Sequence, residues 1–80
     1  MEPNIQNIKA LFKEEVDKKV DVDNLDPNLS LMDQGVDSLD RSSIFLRLED
    51  EFDITISDIQ MEELGSINKI IEFLKNRDRG

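Results

Sequence analysis

Six consecutive residues, Gly35-Val36-Asp37-Ser38-Leu39-Asp40, read neither as ordinary core nor as ordinary surface. Asp37 or Ser38 can open a helix, because either side chain can accept a hydrogen bond from a first-turn amide that has no partner within the helix. Asp40 then falls where a carboxylate favours the helix dipole, and Gly35 marks the end of the preceding loop. A turn that ends at a helix N-terminus sets the Ser38 hydroxyl beside free N–H groups and the positive end of a dipole, surroundings that suit a phosphate ester. The alternative is that these residues only cap a helix, as a D-S-L-D tetrapeptide commonly does.

The rest of the chain narrows the chemistry available. Eighty residues make one domain with a single modest core and no room for a deep, walled active site. There is no cysteine and no histidine, so thiol nucleophiles, imidazole bases, disulfides and the usual zinc ligands are absent. Carboxylates and lysines remain, but so small an interior offers few places to shift their pKa values by burial. The composition argues against an enzyme, and no nucleophile–base pair supports a small hydrolase. Nineteen acidic residues against ten basic ones give a net charge of -9. That charge repels nucleic acid and anionic membranes, and it either favours partners with basic docking surfaces or merely keeps a small protein soluble. No apolar run is long enough to span a membrane, and Met1-Glu2-Pro3-Asn4 lacks the features of a signal peptide, so a cytoplasmic monomer is expected.

The elements that must position Ser38 follow from periodicity. Ile5, Ile8, Phe12 and Val16, with Leu11, recur at helical spacing and predict a first helix from Pro3 or Asn4 to about Lys19. Its other face, with Lys9, Lys13, Glu14, Glu15, Asp17 and Lys18, reads as solvated surface. From about Val20 to Val36 the pattern fails. This long loop carries the turn Asp26-Pro27-Asn28, and its leucines 25, 29 and 31 are expected to pack across the helices. Asp21 to Asp26 does not make a calcium loop, since Asp26 and Met32 stand where glycine and glutamate are needed.

A second helix is predicted from Ser38 to about Glu51, burying Ile44, Phe45, Leu48 and Phe52 and leaving Leu39 and Leu46 off that side, either as the apolar part of a docking surface or as partly buried core. Asp53-Ile54-Thr55-Ile56 predicts an extended connection with its isoleucines inward. Ser57-Asp58 caps a short third helix carrying Ile59, Met61 and Leu64, which stops at Gly65. Ser66 caps a last helix with Ile67, Ile70, Ile71 and Leu74 inward and Phe73 beside them. Its end carries the cations Lys75, Arg77 and Arg79. The expected architecture is all-α, a four-helix bundle with a long first loop and a short third helix.

At this point the chain resembles the acyl carrier proteins over nearly its full length. The resemblance rests on Asp37-Ser38-Leu39 opening the second helix, preceded by Gly35-Val36 and followed by Asp40. It rests also on the acidic run Glu49-Asp50-Glu51-Phe52 ending that helix, then Ile54, Ile56 and Ser57-Asp58, with the last helix at the expected distance. It implies that a phosphopantetheinyl transferase esterifies Ser38 with the 4'-phosphopantetheine of coenzyme A, whose thiol then carries acyl groups as thioesters. Asp37 would help position the transferase's magnesium-bound coenzyme A, and the carrier would hold no metal of its own. Leu39, Leu46, Asp40, Glu49 and Asp50 would meet partner enzymes that load and transfer acyl groups. Phe45, Leu48, Ile59, Leu64 and Ile70 would line an interior able to shelter the start of an acyl chain, the alternative being a closed core.

Arg41 and Arg47 depart from the family's acidic or apolar second-helix face. Either they pair within the helix, Arg41 with Asp37 and Arg47 with Glu51, or they tune the docking surface toward a dedicated set of enzymes. Gly-Val-Asp does not match the glycine-rich stretch of peptidyl carriers, and nothing specifically supports a D-alanyl carrier. Outside the carrier class, the chain could be an unmodified acidic helical adaptor that binds proteins through its second helix.

Overall fold

A computed structural model describes residues 2–78, with side chains as far as Asn76. Four helices run in the order α1 (Ile5–Glu15), α2 (Ser38–Phe52), α3 (Asp58–Glu63) and α4 (Ile67–Asp78), with single 3-10 turns at Val22–Asn24 and Met32–Gln34 in the long loop. There is no strand among the described residues. None of these helices is long and apolar enough to cross a membrane.

Each start has a local cause. The Asn4 side chain accepts from the Asn7 amide at 2.8 Å, and Ser57 and Gln60 form a reciprocal capping box at the head of α3. The Ser66 hydroxyl accepts from the Lys69 amide in the first turn of α4. The helix ends are equally local. Helix α1 stops at Glu15, short of the expected Lys19, because Asp17 offers the backbone a competing partner: its carboxylate accepts from the Lys19 amide at 2.9 Å. Val16 therefore leaves the helix in an extended conformation. Helix α2 ends on Asp53 in the left-handed region, at φ 52°, a conformation a short polar residue tolerates.

Helix α1 packs against both α2 and α4. The core between them holds Ile8, Leu11, Phe12, Ile44, Phe45, Leu48, Ile67, Ile70, Ile71 and Leu74. The long loop closes it. Val22, Leu25, Leu31 and Val36 are buried, whereas Leu29 is exposed. Ile54 and Ile56 turn inward as expected, and Phe52 and Phe73 pack at the margin. Ile5, read as part of the α1 stripe, stands largely exposed in the first turn. Of the terminal cations, Lys75 is exposed, while the Arg77 side chain and Arg79 lie outside the described residues.

Gln34 organises the loop. Its amide oxygen accepts from the Asp26 N–H at 2.6 Å, and its amide nitrogen donates to the carbonyls of Asp26, Leu29 and Ser30. Leu31 N–H donates to the Gly65 carbonyl, Asn68 N–H donates to the Pro27 carbonyl, and the Asn28 and Asn68 side chains hydrogen-bond to each other. The loop is thereby tied to the last helix and its approach. Gly35 ends the second 3-10 turn at φ 95°, which a side chain would strain, and Val36 then plugs the core. Gln34→Ala is expected to cost about 1–2 kcal/mol, since several backbone groups lose their partner but water can reach most of them. A urea titration checks this, and an unchanged midpoint would show that the leucines alone hold the loop.

Candidate functional site

Val36 is fully buried, so the backbone turns out of the core one residue before Asp37 and delivers Ser38 to the surface as the first residue of α2. The capping falls to Asp37, not to Ser38. Asp37 Oδ1 accepts from the Asp40 N–H at 2.9 Å, and the Asp37 carbonyl accepts from the Arg41 N–H. Ser38 is exposed, and its hydroxyl has no hydrogen-bond partner among the described residues. A free hydroxyl at the positive end of a 15-residue helix is reachable by a large reagent and suits a negatively charged ester. Those features fit a serine that takes up a phosphate-linked group.

The charge around Ser38 is negative. Partial burial first, and then the Asp37 carboxylate, push the Asp40 carboxyl above its usual value of 3.8; the Asp17 charge adds to this, and a hydrogen bond from the Asp17 backbone opposes it. The folded state therefore binds this proton more tightly than the unfolded chain. Between the usual value and the raised one the folded state carries the extra proton, so this group's contribution to stability falls as pH rises through that window. Asp40→Asn is expected to match the native protein's unfolding midpoint in acid and to exceed it slightly at neutral pH. Parallel midpoints across the range would contradict the burial of this carboxylate.

The two arginines of α2 are each engaged inside the fold. Arg47 pairs with Glu51 one turn on, as expected, but it also reaches α1, lying 2.8 Å from Glu14 and 3.3 Å from Glu15. Partial desolvation works against its charge, and the Glu51 hydrogen bond and the Glu14 charge outweigh it and raise its pKa. The α1 face that read as plain solvated surface is thus partly an interhelix junction; Lys13 likewise pairs with Asp23 of the loop at 2.8 Å. Arg41 does not pair with Asp37. One of its terminal nitrogens donates to the Met61 carbonyl at 2.8 Å, and its guanidinium carbon lies 5.9 Å from the centre of the Phe45 ring. The last carbonyls of an α-helix have no partner within it, and Arg41 supplies a donor to that of Met61 in α3 from across the groove.

The remaining expected residues separate by exposure. Leu39 is 79% and Leu46 65% exposed; seven positions apart, they share one outward face of α2. Asp50 is exposed, but Glu49 is partly engaged, its carboxylate accepting from the Ile56 N–H at 2.9 Å and holding the connection to α3. Of the anticipated lining, Phe45, Leu48, Leu64 and Ile70 are buried. Ile59 is not: it is 70% exposed. The capping box begins α3 at Asp58, and residues two apart on a helix point roughly 200° apart, so Ile59 faces away when Met61 turns inward. That spacing was a readable signal. Gln34 and Val36, which set the approach to Ser38, carried none, since one polar and one apolar loop residue have no period to reveal them.

Comparison with known proteins agrees with this geometry. The family model described as a phosphopantetheine attachment site matches residues 6–74. An acyl carrier protein of Buchnera aphidicola subsp. Acyrthosiphon pisum (strain 5A) is 34% identical over 77 residues, covering 92% of this chain and 96% of that protein. That of Buchnera aphidicola subsp. Schizaphis graminum (strain Sg) is 31% identical over 78 residues, covering 94% and 99%. An acyl carrier protein of Cyanidium caldarium is 40% identical over 42 residues, about half of each chain. A match over most of the length, on a helical fold that presents a free serine at a helix start, makes this chain a member of the phosphopantetheine-dependent acyl carrier proteins, which carry acyl groups rather than catalyse their conversion.

Proposed function

We propose that Ser38 is the attachment residue for 4'-phosphopantetheine and that the chain, as a monomer, delivers acyl thioesters to enzymes of fatty-acid, specialised lipid or polyketide biosynthesis. The observation that carries the reading is the exposed, unpartnered Ser38 hydroxyl at the N-terminus of α2. The bound group would supply the thiol that this cysteine-free chain lacks. Asp37 keeps the helix start in register, and Leu39, beside Ser38, offers an apolar contact to a visiting enzyme. Leu46 and Asp50 extend that face along α2. Basic enzymes would be steered to it by the net charge of -9. Arg41 and Arg47 shape the face indirectly, by fixing α3 and α1 against α2 through the Arg41–Met61 and Arg47–Glu14 contacts.

Incubation with coenzyme A, magnesium and a broad-specificity phosphopantetheinyl transferase, followed by intact-mass measurement, tests the assignment. One phosphopantetheine per chain, located on the peptide that contains Ser38, is expected. No added mass would reject the carrier reading, and addition at another residue would reject Ser38.

A further inference from the structure

The middle of α2 carries no carboxylate. From Arg41 to Leu48 the helix holds none, and its acids stand before that stretch, at Asp37 and Asp40, and after it, at Glu49, Asp50 and Glu51. Leu39, Ser43, Leu46 and Asp50 follow one another at spacings of four, three and four, so they form one outward strip, on which both leucines are exposed. The acids at the far end are not equally available. Glu49 is engaged with the Ile56 N–H and Glu51 with Arg47, which leaves Asp50, exposed and without a partner among the described residues. Ten residues at about 1.5 Å each put roughly 15 Å of helix between Asp40 and Asp50.

Arg47 follows Leu46 at the edge of that strip, its side chain 31% exposed. Its Nη1 lies 2.8 Å from Glu14 and 3.3 Å from Glu15, and its Nε and Nη2 donate to Glu51 at 3.3 and 3.2 Å. Contacts to two helices at once hold the guanidinium in place. Glu14 and Glu51 are also the carboxylates that a partner's lysine or arginine would need in order to pair near the middle of the strip, since α2 has none of its own there. Such a cation must either displace Arg47, which is tethered and already in position, or approach a guanidinium at close range. The net charge of -9 still draws basic enzymes from a distance, and Arg47 governs where their cations can land. We propose that Arg47 is a specificity-determining residue: it turns away enzymes whose docking surface sets a cation against the middle of α2, and the carrier is served by enzymes that are apolar there and cationic only toward Asp40 and Asp50. This rests on the reading of the chain as a carrier and says which partners it accepts.

The test is acyl transfer from acyl-coenzyme A to the phosphopantetheinylated full chain, catalysed by an acyltransferase of general fatty-acid synthesis with a basic docking surface. Native protein, Arg47→Gln and Glu14→Gln are compared at about 50 and about 500 mM salt. Arg47→Gln is expected to raise kcat/KM roughly tenfold at low salt, through KM, with the gain lost at high salt, because the released carboxylates can then receive the enzyme's cations. Glu14→Gln should leave kcat/KM within about threefold of native, because Arg47 already occupies that carboxylate. An unchanged or lowered kcat/KM in Arg47→Gln, a gain that survives high salt, or a larger loss in Glu14→Gln would overturn the proposal while leaving the carrier assignment intact. Failure of the native chain to take up phosphopantetheine would defeat the carrier assignment, and the proposal with it.

Discussion

Ser38→Ala is expected to abolish phosphopantetheine addition completely while leaving the folded protein as stable as before, within about 0.5 kcal/mol. The two halves of that result have separate causes. Loading is lost because the hydroxyl oxygen is the atom that would form the new ester bond, and alanine has none. Stability is kept because Ser38 does not cap α2: its side chain is exposed and makes no hydrogen bond among the described residues, and alanine is a good first-turn helix former. The neighbouring residue provides the contrast. Asp37→Ala removes the acceptor for the Asp40 amide and should cost about 1 kcal/mol, with slower loading through a frayed helix start. Intact-mass time courses and urea midpoints on the same samples separate the two effects. Residual loading of Ser38→Ala at the native rate would mean that the modified residue lies elsewhere.

Phe12→Ala is expected to have the largest effect on the fold, a loss of about 3–5 kcal/mol. Phe12 is completely buried in the middle of α1, the helix that touches both α2 and α4, so no single neighbouring side chain can collapse into the space it leaves. A domain of this length has a total stability of only roughly 4–12 kcal/mol, from about 0.05–0.15 kcal/mol per residue. The variant should therefore be largely unfolded at modest urea, and loading should fall with it, because the start of α2 loses the helix behind it. Leu46→Ala, a deletion of another large apolar residue, should move the midpoint by less than about 0.5 kcal/mol, since Leu46 is 65% exposed. Equal effects at the two positions would contradict the packing of α1 described above.

The contrast between Phe12 and Leu46 also marks how far sequence reasoning reached. Within α2 the regular spacing of Ile44, Phe45 and Leu48 separated inside from outside correctly, and Leu39 and Leu46 fell where the pattern put them. In α3 the grouping of Ile59 with Met61 failed although their spacing of two already set them on opposite sides of a helix, and the capping box fixed which of them turns inward. In α1 the apolar pattern continued through Val16, yet the Asp17 side chain ended the helix first. The long loop was recognisable by its lack of period, but not the cradle that Gln34 builds within it.

What the sequence determined by itself is what short-range physics decides. The caps at Asn4, Asp37, Ser57 and Ser66 are hydrogen bonds spanning three residues, and the exposed Ser38 at the head of α2 follows from one of them. Apart from the Arg47–Glu51 pair one helical turn apart, tertiary structure alone decided the partners of the two arginines. A guanidinium at the end of a long side chain can reach carboxylates and carbonyls on several elements, and only the placement of those elements selects among them. The position of α1 beside α2 turned Arg47 toward Glu14 and Glu15. The position of α3 gave Arg41 the Met61 carbonyl instead of Asp37, leaving its Nε buried and unpartnered beside Ser38.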